Sequence, residues 1–159
     1  MVPGESKSVL IADFELSGCV FLSSTSKLRD QRQQVIGDLG ERMRFALVDG
    51  LKKASRVVLV GSDCPDIDAV YVGEAFERLS DHSVVLGPAE DGGYGLIGVR
   101  DVVPPVFRDI AWSTASVLSD TCRRLNNNGT DYALLSLIWD VDRPVDVERY
   151  YDLLERESS

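Results

Sequence analysis

The 159-residue chain has one histidine, three cysteines and an excess of acidic over basic residues, and each shortage closes a class of function. It has no run of about 20 apolar residues, the length an ordinary membrane-spanning helix requires. Its start, MVPGESKSVLIADF, lacks the basic n-region, apolar run and small-residue cleavage site of a signal peptide. These absences predict a soluble, cytoplasmic protein. Cys19, Cys64 and Cys122 are scattered, with no CxxC spacing, which argues against a disulfide framework and a cysteine-based zinc site. Neither GxGxxG nor GxxxxGK[ST] occurs, so ordinary Rossmann dehydrogenase and P-loop NTPase readings fall away. With 17 basic against 26 acidic residues and a net charge of −9, the chain lacks the basic face of a general nucleic-acid or acidic-membrane binder. If its ligand is anionic, a cation must mediate.

What is present is one domain's worth of alternating pattern, with 44% hydrophobic residues. A chain of this length buries roughly two-thirds of the surface its unfolded form exposes, and a second full domain is not expected. Leu39, Met43, Leu47 and Leu51 make one helical stripe, with Asp38 and Glu41 as a capping box at its start. RVVLV is a continuous β-branched run suited to a strand covered on both faces, and Gly61 ends it. After Pro65 a second helix follows, with Ala69, Val72, Phe76 and Leu79 inward and Asp66 as N-cap. SVVLG and GGYGLIGV read as strands, DVVPPVF as a loop, and DYALLSLIW as the last strand. Val117, Leu118, Thr121, Cys122 and Leu125 define a third helical face, stopped by NNNG. A final helix begins near Pro144 and is expected to bury Val147, Tyr150, Tyr151 and Leu154. Residues 23 to 32 look loosely ordered. Strands alternating with helices give the α/β class.

In an open α/β sheet ligands bind beyond the carboxyl ends of the strands. Asp63 follows VVLVG, Asp91 follows VVLGPAE, and Asp140 and Asp142 follow LLSLIW. If those strand ends are neighbours, the carboxylates converge on one rim. Oxygen ligands without histidine or thiolate suit Mg²⁺ or Mn²⁺, which leaves other positions to water and phosphate. The competing reading is that each aspartate caps a helix or closes an Asx-turn. Asp66 and Asp68 are read that way. Gly92 and Gly93 either let backbone amides approach a ligand or simply make a tight turn. Trp112 either stacks on a base or sugar or covers the core. Cys64 lies before a helix start, a setting that lowers thiol pKa, but His82 sits at the far end of that helix. Cys64 is therefore read as a small packed residue rather than the nucleophile of a cysteine hydrolase, and His82 as a surface residue.

Taken in order, GDLGERM, GSDCPDID, VVLGPAEDGGYGLIGV, IAWSTASVL and WDVDRPVDVERY resemble a bacterial family of GT-A-fold, glycosyltransferase-like proteins of the radical-SAM or selenodomain-associated type. That family is distantly similar to molybdenum-cofactor guanylyltransferase and phospholactate guanylyltransferase. The resemblance covers about residues 33 to 150. It implies a single GT-A-like domain over residues 1–159: a nucleotide-diphospho-sugar transferase-like, three-layer α/β/α fold with a mixed, mostly parallel sheet. It further implies a metal-dependent nucleotidyl- or glycosyltransferase acting on a nucleotide or nucleotide-sugar and a small-molecule acceptor. By the same resemblance Asp63 and Asp142 are the Mg²⁺ or Mn²⁺ ligands. Asp91 is the candidate general base, and Gly92, Gly93, Tyr94, Trp112, Ser113 and Thr114 line the substrate site.

Two departures qualify the match. Arg143 stands where the family has threonine after DVD. The family opens with a strand and a P-G-x-x-K-T-R-L nucleotide loop, which Pro3, Gly4, Lys7 and Leu10 echo with Val9 in place of the arginine. Lys7 is the substrate-binding residue this echo implies. IADFELSGCVFLSS then reads as a shortened helix leading into a strand at 19 to 23, so the chain looks N-terminally truncated and without a central first strand. A missing strand would leave a sheet edge open to a second subunit, which predicts a homodimer. The alternative to an enzyme is a degenerate family member that binds a ligand or partner without turnover.

Overall fold

The computed structural model describes residues 8–12, 20–23, 28–29, 38–61, 64, 66–112, 114–139 and 144–157. Strands β1 (Ser8–Ala12), β2 (Val20–Ser23) and β3 (Leu28–Arg29) precede helix α1 (Leu39–Leu51) and strand β4 (Arg56–Val60). Helix α2 (Ala69–Arg78), strands β5 (Val84–Pro88) and β6 (Tyr94–Arg100), helix α3 (Val117–Asn127), strand β7 (Tyr132–Leu134) and helix α4 (Pro144–Glu157) complete the chain order. The strands form one sheet in the order β3-β2-β1-β4-β6-β5-β7. The sheet is mixed but not mostly parallel as expected: β1 pairs parallel with β4 and β5 with β7, whereas β2 opposes β1 and β3, and the hairpin strand β6 opposes both β4 and β5.

Alternation along the central strands divides the core. Val57 and Leu59 of β4, Val84 and Leu86 of β5, and Ile97 and Val99 of β6 face α1 and α3. Met43 and Leu47 from α1 and Leu125 from α3 fill that side. The intervening residues Val58, Val85 and Leu96 face α2, where Tyr71, Ala75 and Leu79 cover them. Helices thus close both faces over β4, β6 and β5, which is why these strands read as unbroken apolar runs.

Several expectations change. Asp68, not Asp66, caps α2, its carboxylate accepting from Tyr71 N at 2.8 Å. The helix consequently starts later and turns Tyr71, Ala75 and Leu79 inward, leaving Ala69 exposed. At α1 the expected cap holds, Asp38 Oδ1 accepting from Glu41 N at 2.8 Å. The last strand is three residues long rather than nine: the Ser136 carbonyl turns to accept from the Tyr71 hydroxyl at 2.8 Å, and pairing resumes only where Ile138 bridges Ala89. Residues Leu28–Arg29, within a segment expected to be loose, pair with β2.

The N-terminal reading changes most. Ser8–Ala12 is a strand rather than the start of a helix, and it lies in register beside β4, from Ser8 opposite Arg56 to Ala12 opposite Val60. The strand expected at 19 to 23 is Val20–Ser23. Since β4 has β1 on one side and β6 on the other, the open edge that motivated the homodimer is filled. Finally, α4 forms where predicted, but its stripe Val147, Tyr150, Tyr151 and Leu154 is exposed rather than buried. Among the described residues no helix is long and apolar enough to cross a membrane.

Candidate active site

Strand direction brings the acidic loops to one edge. The carboxyl ends of β1, β4, β5 and β7 all lie there, with the amino end of antiparallel β6 among them. Three backbone bonds hold the exits side by side. Gly61 N donates to Gly95 O at 2.8 Å, Ala89 N to Gly93 O at 2.9 Å, and Glu90 N to Ile138 O at 2.9 Å. The segments that carry Asp63, Asp91 and Asp140 therefore leave the sheet from adjacent positions, although 77 residues separate the first from the last. Asp63, Asp140, Asp142, Lys7, Ser113 and Arg143 themselves lie outside the described residues.

Asp91 sits in a tight turn between β5 and β6. Its Oδ1 accepts from Gly93 N at 2.8 Å, an Asx-turn, and the residue is exposed on the rim. No other hydrogen bond of this carboxylate forms among the described residues. Gly92 has φ +90, and a β-carbon there would collide with the Ala115 carbonyl. Glycine is required on both counts. The Gly92 carbonyl accepts from Leu118 N at 2.9 Å, tying the first turn of α3 to the rim. The Asp91 turn is thus fixed by β6, by Ile138 and by α3.

The aromatic candidates point inward. Tyr94 packs against the α1/α3 side of the core, where its hydroxyl is buried beside Thr121 without a well-formed hydrogen bond between them. Burial raises its phenol well above the ordinary tyrosine value, Thr121 opposing and Cys122 adding slightly. Trp112 lies on Gly40 of α1, where a β-carbon would come within 2.6 Å of Trp112 Cζ2, and its indole Nε1 is buried with no partner among the described residues. Of the two sequence readings, the core-covering one describes its position. Thr114 is exposed, its hydroxyl donating to Ala111 O at 2.6 Å and lying 3.0 Å from Ser116 Oγ.

Cys64 is 8% exposed, and its sulfur sits where a Gly95 β-carbon would approach within 2.6 Å. It packs against the sheet, as its surroundings in the sequence suggested. His82 lies beyond α2 at the opposite edge, its Nδ1 3.2 Å from Arg78 O. Among the described residues the rim carries the carboxylates of Glu90 and Asp91 and no imidazole. Among the described residues alone, no three acidic, cysteine or histidine side chains group closely enough to hold a metal.

One cluster escaped the sequence reading. Arg149 of α4 pairs with Glu90 through both nitrogens, Nη1 to Oε2 at 3.0 Å and Nη2 to Oε1 at 3.3 Å. Its guanidinium carbon stands 4.3 Å from the centroid of the Trp139 ring, itself only 2% exposed. An arginine and a glutamate 59 positions apart give no local signal, and both look like solvated charges in the sequence.

A mixed sheet with helices on both faces, its edge gathering the carboxyl ends of β1, β4, β5 and β7, defines a protein of the α/β class. Residues 9–114 match the family described as "Uncharacterized protein conserved in bacteria (DUF2064)", and the chain belongs to that family. It is also similar to the crystal structure of a "putative nucleotide-diphospho-sugar transferase" from Desulfovibrio desulfuricans G20, with a TM-score of 0.65 and 38% identity. The similarity covers 69% of this chain and 48% of that one, so this chain spans about half of that protein's length. Among functionally curated proteins none matches significantly.

Proposed function

We propose that the chain is a GT-A-like, three-layer transferase domain whose acidic rim binds a nucleotide or nucleotide-sugar through Mg²⁺ or Mn²⁺. The observation that carries this reading is the convergence of three aspartate-bearing strand exits on one sheet edge, held by the Gly61, Ala89 and Glu90 backbone bonds. The likeness to a nucleotide-diphospho-sugar transferase supports the same choice of ligand. Asp63 and Asp142 are the proposed ligands. A divalent cation held by these two carboxylates would supply positive charge to the phosphates and to the leaving diphosphate.

The chain's own residues do the rest. The Asp91 turn presents a carboxylate to the acceptor side, where it is the proposed proton acceptor. Gly92 and Gly93 keep the turn slim enough for a sugar or phosphate to approach the backbone. With Tyr94 and Trp112 packed inward, their part in this scheme is to fix the ends of the Asp91 and Thr114 segments rather than to stack on a base. Lys7 and Ser113 are further proposed substrate contacts, and the whole protein is proposed to be cytoplasmic.

Calorimetry with nucleoside diphosphates, triphosphates and nucleotide-sugars, run with and without Mn²⁺, tests this. Binding is expected for one nucleotide class only when the metal is present, and is expected to vanish in Asp63→Ala. Equal binding with and without metal, or none to any nucleotide, would leave the non-catalytic reading in its place.

A further inference from the structure

Helix α4 makes a side-chain contact with the acidic rim. Its apolar stripe, Val147, Tyr150, Tyr151 and Leu154, is exposed rather than buried in the core. Arg149, one turn along from Val145, reaches the rim. It grips Glu90 bidentately and lies over the Trp139 ring. Those partners belong to two of the three acidic exits: Glu90 immediately precedes Asp91, and Trp139 immediately precedes Asp140. The same two exits are joined beneath by the bond from Glu90 N to Ile138 O.

We propose that Arg149 is a positioning residue that locks the Asp91 turn against the β7 exit, setting the spacing of the carboxylates on the rim. The inference rests on the metal-dependent reading above for its consequence, but not for its geometry. An exposed ion pair adds little to stability by strength alone. A forked guanidinium does something different: two bonds to one carboxylate, with the guanidinium carbon over a buried indole, fix orientation as well as distance. Lysine could supply the charge but neither the fork nor the plane. Arg149 touches no proposed ligand itself; in the metal-dependent reading it bears on Asp142 through the exit segment, in which Asp142 follows Trp139 by three positions.

The test uses the full chain with Arg149→Met, Arg149→Lys and Glu90→Gln, the last disturbing the same contact from the turn side. Hydrogen exchange reads the amides of Glu90, Gly92 and Gly93, each of which is bonded within or beneath the turn. Mn²⁺ affinity is read separately by electron paramagnetic resonance. In Arg149→Met and Glu90→Gln those three amides should exchange about tenfold faster while Val57, Val58 and Leu59 stay unchanged, and Mn²⁺ binding should weaken by about tenfold. Arg149→Lys should recover only part of each effect. Unchanged exchange in both Arg149→Met and Glu90→Gln overturns the proposal. Faster exchange with full Mn²⁺ affinity also overturns it, since the contact would then hold the turn without setting the site. If the unmodified protein binds no Mn²⁺, the metal reading is what fails; faster exchange in the two variants would still support the lock on the turn.

Discussion

At Gly92 and Tyr94 the rim turn shows how little separates a functional pattern from a structural one. Gly92 sits at φ +90 with the Ala115 carbonyl where a β-carbon would go, so Gly92→Ala should destabilise the protein by about 1–3 kcal/mol. Urea denaturation checks this, and a loss below about 0.5 kcal/mol would show that the turn relaxes freely. Tyr94 gives a pH signature. Burial raises its phenol above the unfolded value, so the folded state keeps a proton that the unfolded state releases as pH rises. The stability it contributes is complete below the unfolded pKa of about 10 and is lost as pH rises beyond it. Tyr94→Phe should therefore show a shallower fall in melting temperature between about pH 9 and pH 11 than the unmodified chain. Parallel curves would mean that Tyr94 ionises as readily folded as unfolded. In the sequence, GPAEDGGY left a ligand-facing loop and a tight Asx-turn both open. That its tyrosine turns into the core, and its aspartate closes an Asx-turn, depends on contacts with Thr121 and Gly93 that spacing does not encode.

Among the elements, helices and central strands were legible wherever one local rule governed them. The Leu39, Met43, Leu47, Leu51 stripe and the RVVLV run each answer to a single period, and α1 and β4 formed as that period required. Cap choice at α2 was not legible, because PDID offers two aspartates and only the later one meets a free amide three residues on. Asp68→Ala should cost about 1 kcal/mol by urea denaturation, and Asp66→Ala close to none. The reverse order would place the helix start two residues earlier than the bond from Tyr71 N indicates. The first strand was missed for a topological reason. SVLIA is too short to separate strand from helix by period alone, and what makes it a strand is β4, over forty residues away in sequence. α4 was misjudged the other way: periodicity announced an apolar face, but periodicity cannot say whether anything covers it. The surface stripe Val147, Tyr150, Tyr151 and Leu154 marks that limit.

For the whole molecule, direction of travel through the sheet matters more than any motif. Four strands end on one edge, and three of those exits carry the aspartates on which the proposed chemistry depends. An acidic chain, with net charge −9, gains a use for an anionic ligand only through a cation on that edge. The convergence was conditional in the sequence, since strand order cannot be read from it, and pairing of β4, β6, β5 and β7 meets the condition for the exits themselves. The direct test is a Mn²⁺ titration followed by electron paramagnetic resonance on the unmodified chain, Asp63→Ala and Asp142→Ala. The account predicts one site per chain, weakened at least tenfold by either substitution, with unfolding midpoints little changed. Mn²⁺ binding that survives both substitutions undiminished, or no binding in the unmodified chain, would contradict it.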